Sequence, residues 1–126
     1  MQSKGMVICM ELFRSKSFNA MESSLYALQL QTQVSAQNLA NLETPGYKSK
    51  TVSFSDVFEN TQSNYYKFRA HIYEDETGAI RPDGNNVDSD VESMKVAKAY
   101  IQSVYLMQKI SSQFTNVRYI LENAPK

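Results

Sequence analysis

The stretch Ala40-Asn41-Leu42-Glu43-Thr44-Pro45-Gly46-Tyr47-Lys48 restricts this chain more than any other, because it ends a helix and turns the backbone. Pro45 has no amide hydrogen and its ring pushes Thr44 out of helical geometry, so a helix arriving from the N-terminal side stops near Asn41 or Leu42. Gly46 supplies positive φ at the second central position of a type II turn, and Pro45 is pre-set for the first. Tyr47 and Lys48 therefore leave in a new direction.

Upstream, Phe18, Met21, Leu25, Leu28, Thr32, Ser35, Leu39 and Leu42 recur at alternating three- and four-residue steps. That spacing keeps one stripe of a helix facing a partner, as in a coiled coil. Thr32 and Ser35 make the middle of the seam polar and small enough for backbones to approach closely. Tyr26, Leu30 and Val34 lie off the stripe, and a helix with more than one apolar face has more than one neighbour.

The C-terminal third repeats the pattern. Val96, Tyr100, Ser103, Met107, Ile110, Phe114, Val117 and Leu121 form one heptad stripe, and Met94, Ala97, Ile101 and Val104 form another on an adjacent face. Ser89-Asp90-Val91-Glu92 has the spacing of a capping box, with Asp88 as the alternative cap. Asp88 and Asp90 place negative charge at the positive end of the helix dipole.

Between the helices the period changes. Phe68, Ala70 and Ile72 alternate with Lys67, Arg69, His71 and Tyr73, which is strand spacing. Asp75-Glu76-Thr77-Gly78 supplies a turn before Ala79 and Ile80, giving a small hairpin. Val52, Phe54, Val57 and Phe58 predict a strand that passes into one helical turn at Asp56 to Asn60.

Composition excludes several chemistries. Lys plus Arg and Asp plus Glu number 13 each, so no basic field exists to hold nucleic acid. One cysteine, Cys9, leaves no intramolecular disulfide and no thiol-based zinc site. Cysteine catalysis normally requires a base, and the single histidine, His71, falls on the polar side of a strand. Asp83 to Glu92 fails as a calcium loop, because Asp88 stands where the glycine belongs. Asp88, Asp90 and Glu92 read as helix-cap groups, and Gly84-Asn85-Asn86 as a turn suited to positive φ. No apolar run is long enough for a membrane helix, and Met6 to Met10 is too short for a signal-peptide core. No catalytic, cofactor or metal residues are therefore expected.

Two separated blocks resemble the flagellar basal-body rod proteins. Gln37-Asn38-Leu39-Ala40-Asn41 with Thr44-Pro45-Gly46-Tyr47-Lys48 is similar to the signature shared across rod and hook proteins. Asp83-Gly84-Asn85-Asn86-Val87-Asp88 with Glu92, leading into a helix that ends with Phe114, Val117, Arg118 and Ile120, is similar to the proximal rod members. The resemblance implies a non-enzymatic structural subunit in the periplasmic basal body, exported without a cleaved signal. It also implies other rod proteins, copies of itself, a membrane-ring adaptor protein and the export apparatus as partners, with no nucleic acid and no direct membrane insertion.

The expected fold is mainly α, with two long terminal helices pairing as a coiled-coil-like hairpin around a short β-hairpin or extended segment. Residues 1–17 are an N-terminal extension without order, 18–42 an assembly helix, 43–86 the turn and β region, and 87–122 a second assembly helix. Asn38, Asn41, Thr44, Pro45, Gly46, Tyr47, Gly84, Asn85, Asn86, Val87, Asp88 and Glu92 are the expected assembly and turn residues. Phe18, Met21, Leu25, Leu28, Leu39, Leu42, Met94, Ala97, Ile101, Val104, Met107, Ile110, Phe114, Val117 and Leu121 are the expected helix-packing residues. Single helices of this length are marginal alone, so order in them depends on packing. The rival readings are a different rod protein of the same superfamily, or a soluble helical adaptor that binds one partner helix.

Overall fold

The structure is a computed structural model that describes residue 7, residues 15–58 and residues 66–123. Its elements run α1 (Lys16–Ala40), β1 (Lys50–Phe58), β2 (Tyr66–Glu74) and α2 (Ser89–Glu122). The chain is two long helices packed on each other, with an antiparallel hairpin between them in sequence. The expected N-terminal extension, with the run Met6 to Met10 and Cys9, falls mostly outside the described residues.

Both helices start on side-chain caps. Ser15 accepts the Phe18 N–H at 3.2 Å and opens α1. Asp88 accepts from Asp90 and Val91 and opens α2. The cap is thus Asp88 rather than Ser89, which frees Glu92 from a capping box and turns it inward. α1 ends at Ala40, as Pro45 dictates, with Asn41 as its C-cap.

The strands pair from Lys50↔Glu74 to Phe58↔Tyr66. This corrects two expectations. β2 pairs backwards with β1 and not forwards with Ala79 and Ile80. The turn signal at Asp75 is instead an Asx turn, in which Asp75 Oδ1 accepts the Thr77 N–H at 3.0 Å and its hydroxyl. Also, β1 continues as strand through Asp56, Val57 and Phe58, while Asn60 lies outside the described residues. Both strands touch α1, and Val52 is buried against it.

The helix seam is only partly the expected one. α1 buries Ala27, Leu28, Val34, Ser35 and Asn38, while Phe18, Met21, Leu25, Thr32 and Leu39 are half-buried. α2 turns Glu92, Val96, Ala99, Ser103, Leu106, Ile110, Gln113 and Val117 inward, a strict alternation of four- and three-residue steps. Four of these belong to the expected stripe. Its other members, Tyr100, Met107, Phe114 and Leu121, stay exposed. Close approach is the reason: the buried contact positions include Ala27, Ser35 and Ala99, and a tyrosine at that point would hold the helices apart. Phe18 meets Phe114 edge-on at 6.1 Å, which sets the start of α1 beside the far part of α2.

Candidate functional site: an interlocked junction

The turn that leaves α1 and the turn that returns to α2 lie against each other. Tyr47 N–H donates to the Thr44 carbonyl at 3.3 Å across Pro45 and Gly46, and Gly46 has φ +73, the type II geometry that its sequence requires. In the returning segment, Gly84 N–H donates to the Arg81 carbonyl across Pro82 and Asp83, and Gly84 has φ +84. Gly46 N–H then donates to the Asp83 carbonyl at 2.9 Å, and Lys48 Nζ to the Gly84 carbonyl at 2.9 Å. A Cβ built on Gly84 would lie 3.4 Å from the Gly46 Cα, so the two glycines pack nearly backbone to backbone.

Three asparagines fasten this contact. Asn38, fully buried on α1, donates its Nδ2 to the Lys50 carbonyl at 2.6 Å, while its Oδ1 accepts the Lys50 N–H at 3.0 Å and the Tyr47 hydroxyl at 3.3 Å. Asn85 donates Nδ2 towards the carbonyls of Asn41, Leu42 and Thr44 at 2.9, 3.1 and 2.9 Å, and its Oδ1 accepts the Val87 N–H at 2.7 Å. Those carbonyls follow the last turn of α1 and have no helical partner, so Asn85 closes the helix from across the chain. Asn86 accepts the Ser49 N–H at 2.7 Å and donates to the Asp75 carbonyl at 2.5 Å, beside the backbone bond from Asp75 to Ser49. It ties α2's approach to the base of the hairpin.

Charge follows the same geometry. Arg81 Nη1 donates to the Leu42 carbonyl at 3.1 Å, at the negative end of α1. Glu92 is only 2% exposed and pairs with Lys95 at 2.7 Å, while its Oε2 is buried with no hydrogen-bond partner among the described residues. The Thr77 hydroxyl, then the Thr77 N–H, and less strongly Lys95 hold the Asp75 carboxyl below its ordinary range against a small opposing burial effect.

The structure therefore brings Asn38, Asn41, Thr44, Gly46, Tyr47, Gly84, Asn85 and Asn86 into one knot, with buried Val87 beside it and Pro45 exposed on its rim. Asp88 and Glu92 serve α2, one as its cap and one on its inner face. Leu42 contributes its carbonyl rather than side-chain packing alone. Met94, Ala97, Ile101, Val104, Met107, Phe114 and Leu121 are exposed, while Ile110 and Val117 face α1. Sequence reasoning missed Arg81 and Lys50. Arg81-Pro82-Asp83-Gly84 carried a legible turn signal, whereas Lys50 contributes only backbone and leaves no mark in composition. Among the described residues no group of three or more His, Cys, Asp or Glu is placed to hold a metal, and no helix is long and apolar enough to cross a membrane.

A helix pair whose connecting hairpin is locked by buried asparagines, with a long apolar stripe left outside, defines a paired-helix protein with an outward apolar face. No family model matches the chain. It is similar to the flagellar basal body rod protein FlgB of Bacillus subtilis (strain 168), with 28% identity over 131 residues covering 89% of this chain and 97% of that protein.

Proposed function

We propose that the protein is a structural subunit of the proximal flagellar rod, not an enzyme, and that it assembles through its two terminal helices and transmits torque. The observation that carries this reading is the outer face of α2, where Met94, Tyr100, Ile101 and Met107 are more than half exposed in one long helix. Apolar area of this extent on an isolated chain marks an interaction surface. The similarity to FlgB along nearly its whole length supports the rod as the place where that surface is used. In this reading the junction knot fixes the angle between helices and hairpin, so that each subunit presents the same shape to the next. Other rod proteins, copies of itself, a membrane-ring adaptor and the export apparatus are its neighbours, and the periplasmic basal body is its location.

The test is motility and basal-body isolation in a strain lacking the gene, complemented with the intact chain or with one truncated after Tyr105. Restoration by the intact chain alone supports both the rod role and the need for the second half of α2. Normal swimming of the deletion strain refutes it and leaves the adaptor that binds one partner helix.

A further inference from the structure

The two sides of the seam between α1 and α2 are unlike. On one side β1 reaches it, and Phe54 lines a groove there with Leu28 and Leu106. On the other side a longer groove runs between the helices, and among the described residues no strand residue lines it. Its two stretches share Leu25 and Met107, and together they follow α2 from Ser93 to Arg118, about 37 Å of helix.

The lining repeats as a coiled-coil seam does. On α2, half-buried Val96, Ser103 and Ile110 form the floor and exposed Tyr100, Met107 and Phe114 the wall, each set at seven-residue steps. Leu25, Gln29 and Thr32 form the α1 wall, at a four-residue and then a three-residue step. α2 therefore uses Val96, Ser103 and Ile110 twice, once towards α1 and once in a second seam shaped for a third helix. Charge is scarce around it. α1 has no charged residue from Ser23 to Ala40, and α2 has none between Lys98 and Lys109. Arg118, the one charged residue among the described residues that line the groove, pairs with Glu122 at 3.1 Å. Exposed helix faces depleted of charge have the composition of an interface core, and they suit an occupant that is itself uncharged.

We infer that this groove holds α2 of a second copy of this chain, inserted by the stripe Met94, Ile101 and Val104. The inference rests on the self-assembly reading above and names one contact within it. Met94 and Ile101 are 72% and 69% exposed, Val104 is exposed beside them, and none of the three lines the groove of its own copy. The stripe is apolar and uncharged like the groove, so the two surfaces match each other and offer a charged partner nothing to pair with. Groove and stripe are different faces of one helix, which makes the contact heterologous. A bound copy still presents its own groove to the next, and the row does not close. A two-fold contact of groove with groove would instead stop at a dimer.

The experiment is sedimentation equilibrium of the full chain at low salt and at about 1 M salt, where charges are screened beyond roughly 3 Å. The samples are the wild type, a stripe variant (Met94→Glu with Ile101→Glu), a groove variant (Tyr100→Glu with Met107→Glu) and an equal mixture of the two variants, with circular dichroism of each. The wild type associates beyond a dimer, and salt does not weaken it. Each variant alone associates at least about tenfold more weakly, as loss of one buried large apolar side chain requires. The mixture pairs, because one variant keeps the groove and the other the stripe, and it stops at a dimer. Serine replaces glutamate at the same positions if helicity falls. A wild type that stays monomeric overturns the inference and leaves the groove to a helix of a different protein. A wild type that stops at a dimer or comes apart in salt also overturns it, as does a mixture that associates no better than its components. If that happens while the intact chain still rebuilds the rod in cells, only this contact is wrong; failure to rebuild the rod removes the assembly reading itself.

Discussion

Asn38 pairs with the backbone of Lys50 through both ends of its amide, giving one bond and taking another, as a neighbouring strand would. A helix side chain thus starts the hairpin. Because Asn38 is fully buried, its removal leaves a backbone donor and a backbone acceptor unpaired, each costing about 1–3 kcal/mol. Asn38→Leu is expected to destabilise the monomer by roughly 2–4 kcal/mol in urea unfolding. Asn38→Asp should be no better, since it turns a second oxygen towards the Lys50 carbonyl. A loss below about 0.5 kcal/mol, the range of ordinary surface changes, would refute this.

The two junction glycines differ in what a side chain would meet. Gly46 has φ +73 but open space around a new Cβ, so Gly46→Ala pays only the left-handed backbone cost, about 1–2 kcal/mol. Gly84 adds a 3.4 Å approach to the Gly46 backbone, and Gly84→Val combines that crowding with a β-branched residue at positive φ. Unfolding midpoints should rank wild type above Gly46→Ala, and Gly46→Ala above Gly84→Val. Equal midpoints for the two variants would mean that the turns are not held together.

The sequence made the junction legible and half of the seam. Pro45 and Gly46 act through hard backbone limits that no tertiary contact overrides, so the end of α1 and the turn were readable. Val96, Ser103, Ile110 and Val117 were readable because they belong both to the expected apolar stripe of α2 and to the stripe it turns inward. Ala99 and Gln113 were not, since an alanine and a glutamine carry no apolar signal, and only the closeness of α1 decides for Ala99 over Tyr100. Asn38, Asn85 and Asn86 stood out through resemblance to rod proteins, but their partners are main-chain groups, and an amide can pair with any of those. The strand partner of β2 was misread because Asp75 to Gly78 has turn chemistry without being a hairpin turn.

Asp75 gives a small acid dependence whose sign is fixed. Its carboxyl titrates lower in the folded protein than in the unfolded chain, chiefly through the Thr77 hydroxyl. The stability it contributes is present above the unfolded value near 4 and is lost as pH falls through the folded one. Thr77→Val should lower the melting temperature slightly at pH 6, and the gap from wild type should shrink towards pH 3. A gap that widens on acidification would contradict the assignment. Asp75 is half-buried and close to solvent, so the effect is screened and small.

Neighbouring positions on α2 separate folding from assembly. Ala99 is 1% exposed against α1, so Ala99→Leu overpacks the seam and should cost the monomer about 1–3 kcal/mol. Tyr100 and Ile101, each 69% exposed, make little use of the monomer, and Tyr100→Ser with Ile101→Ser should change its stability by no more than about 0.5 kcal/mol each. In cells the order reverses in kind: the serine variants are made normally but enter the basal body poorly, because the apolar face proposed for contact between subunits is gone. Ala99→Leu instead lowers the amount of folded protein. Swimming at the wild-type rate with both serines in place would show that the outer stripe of α2 is not an assembly surface, while a monomer unfolded by them would show that it is part of the core.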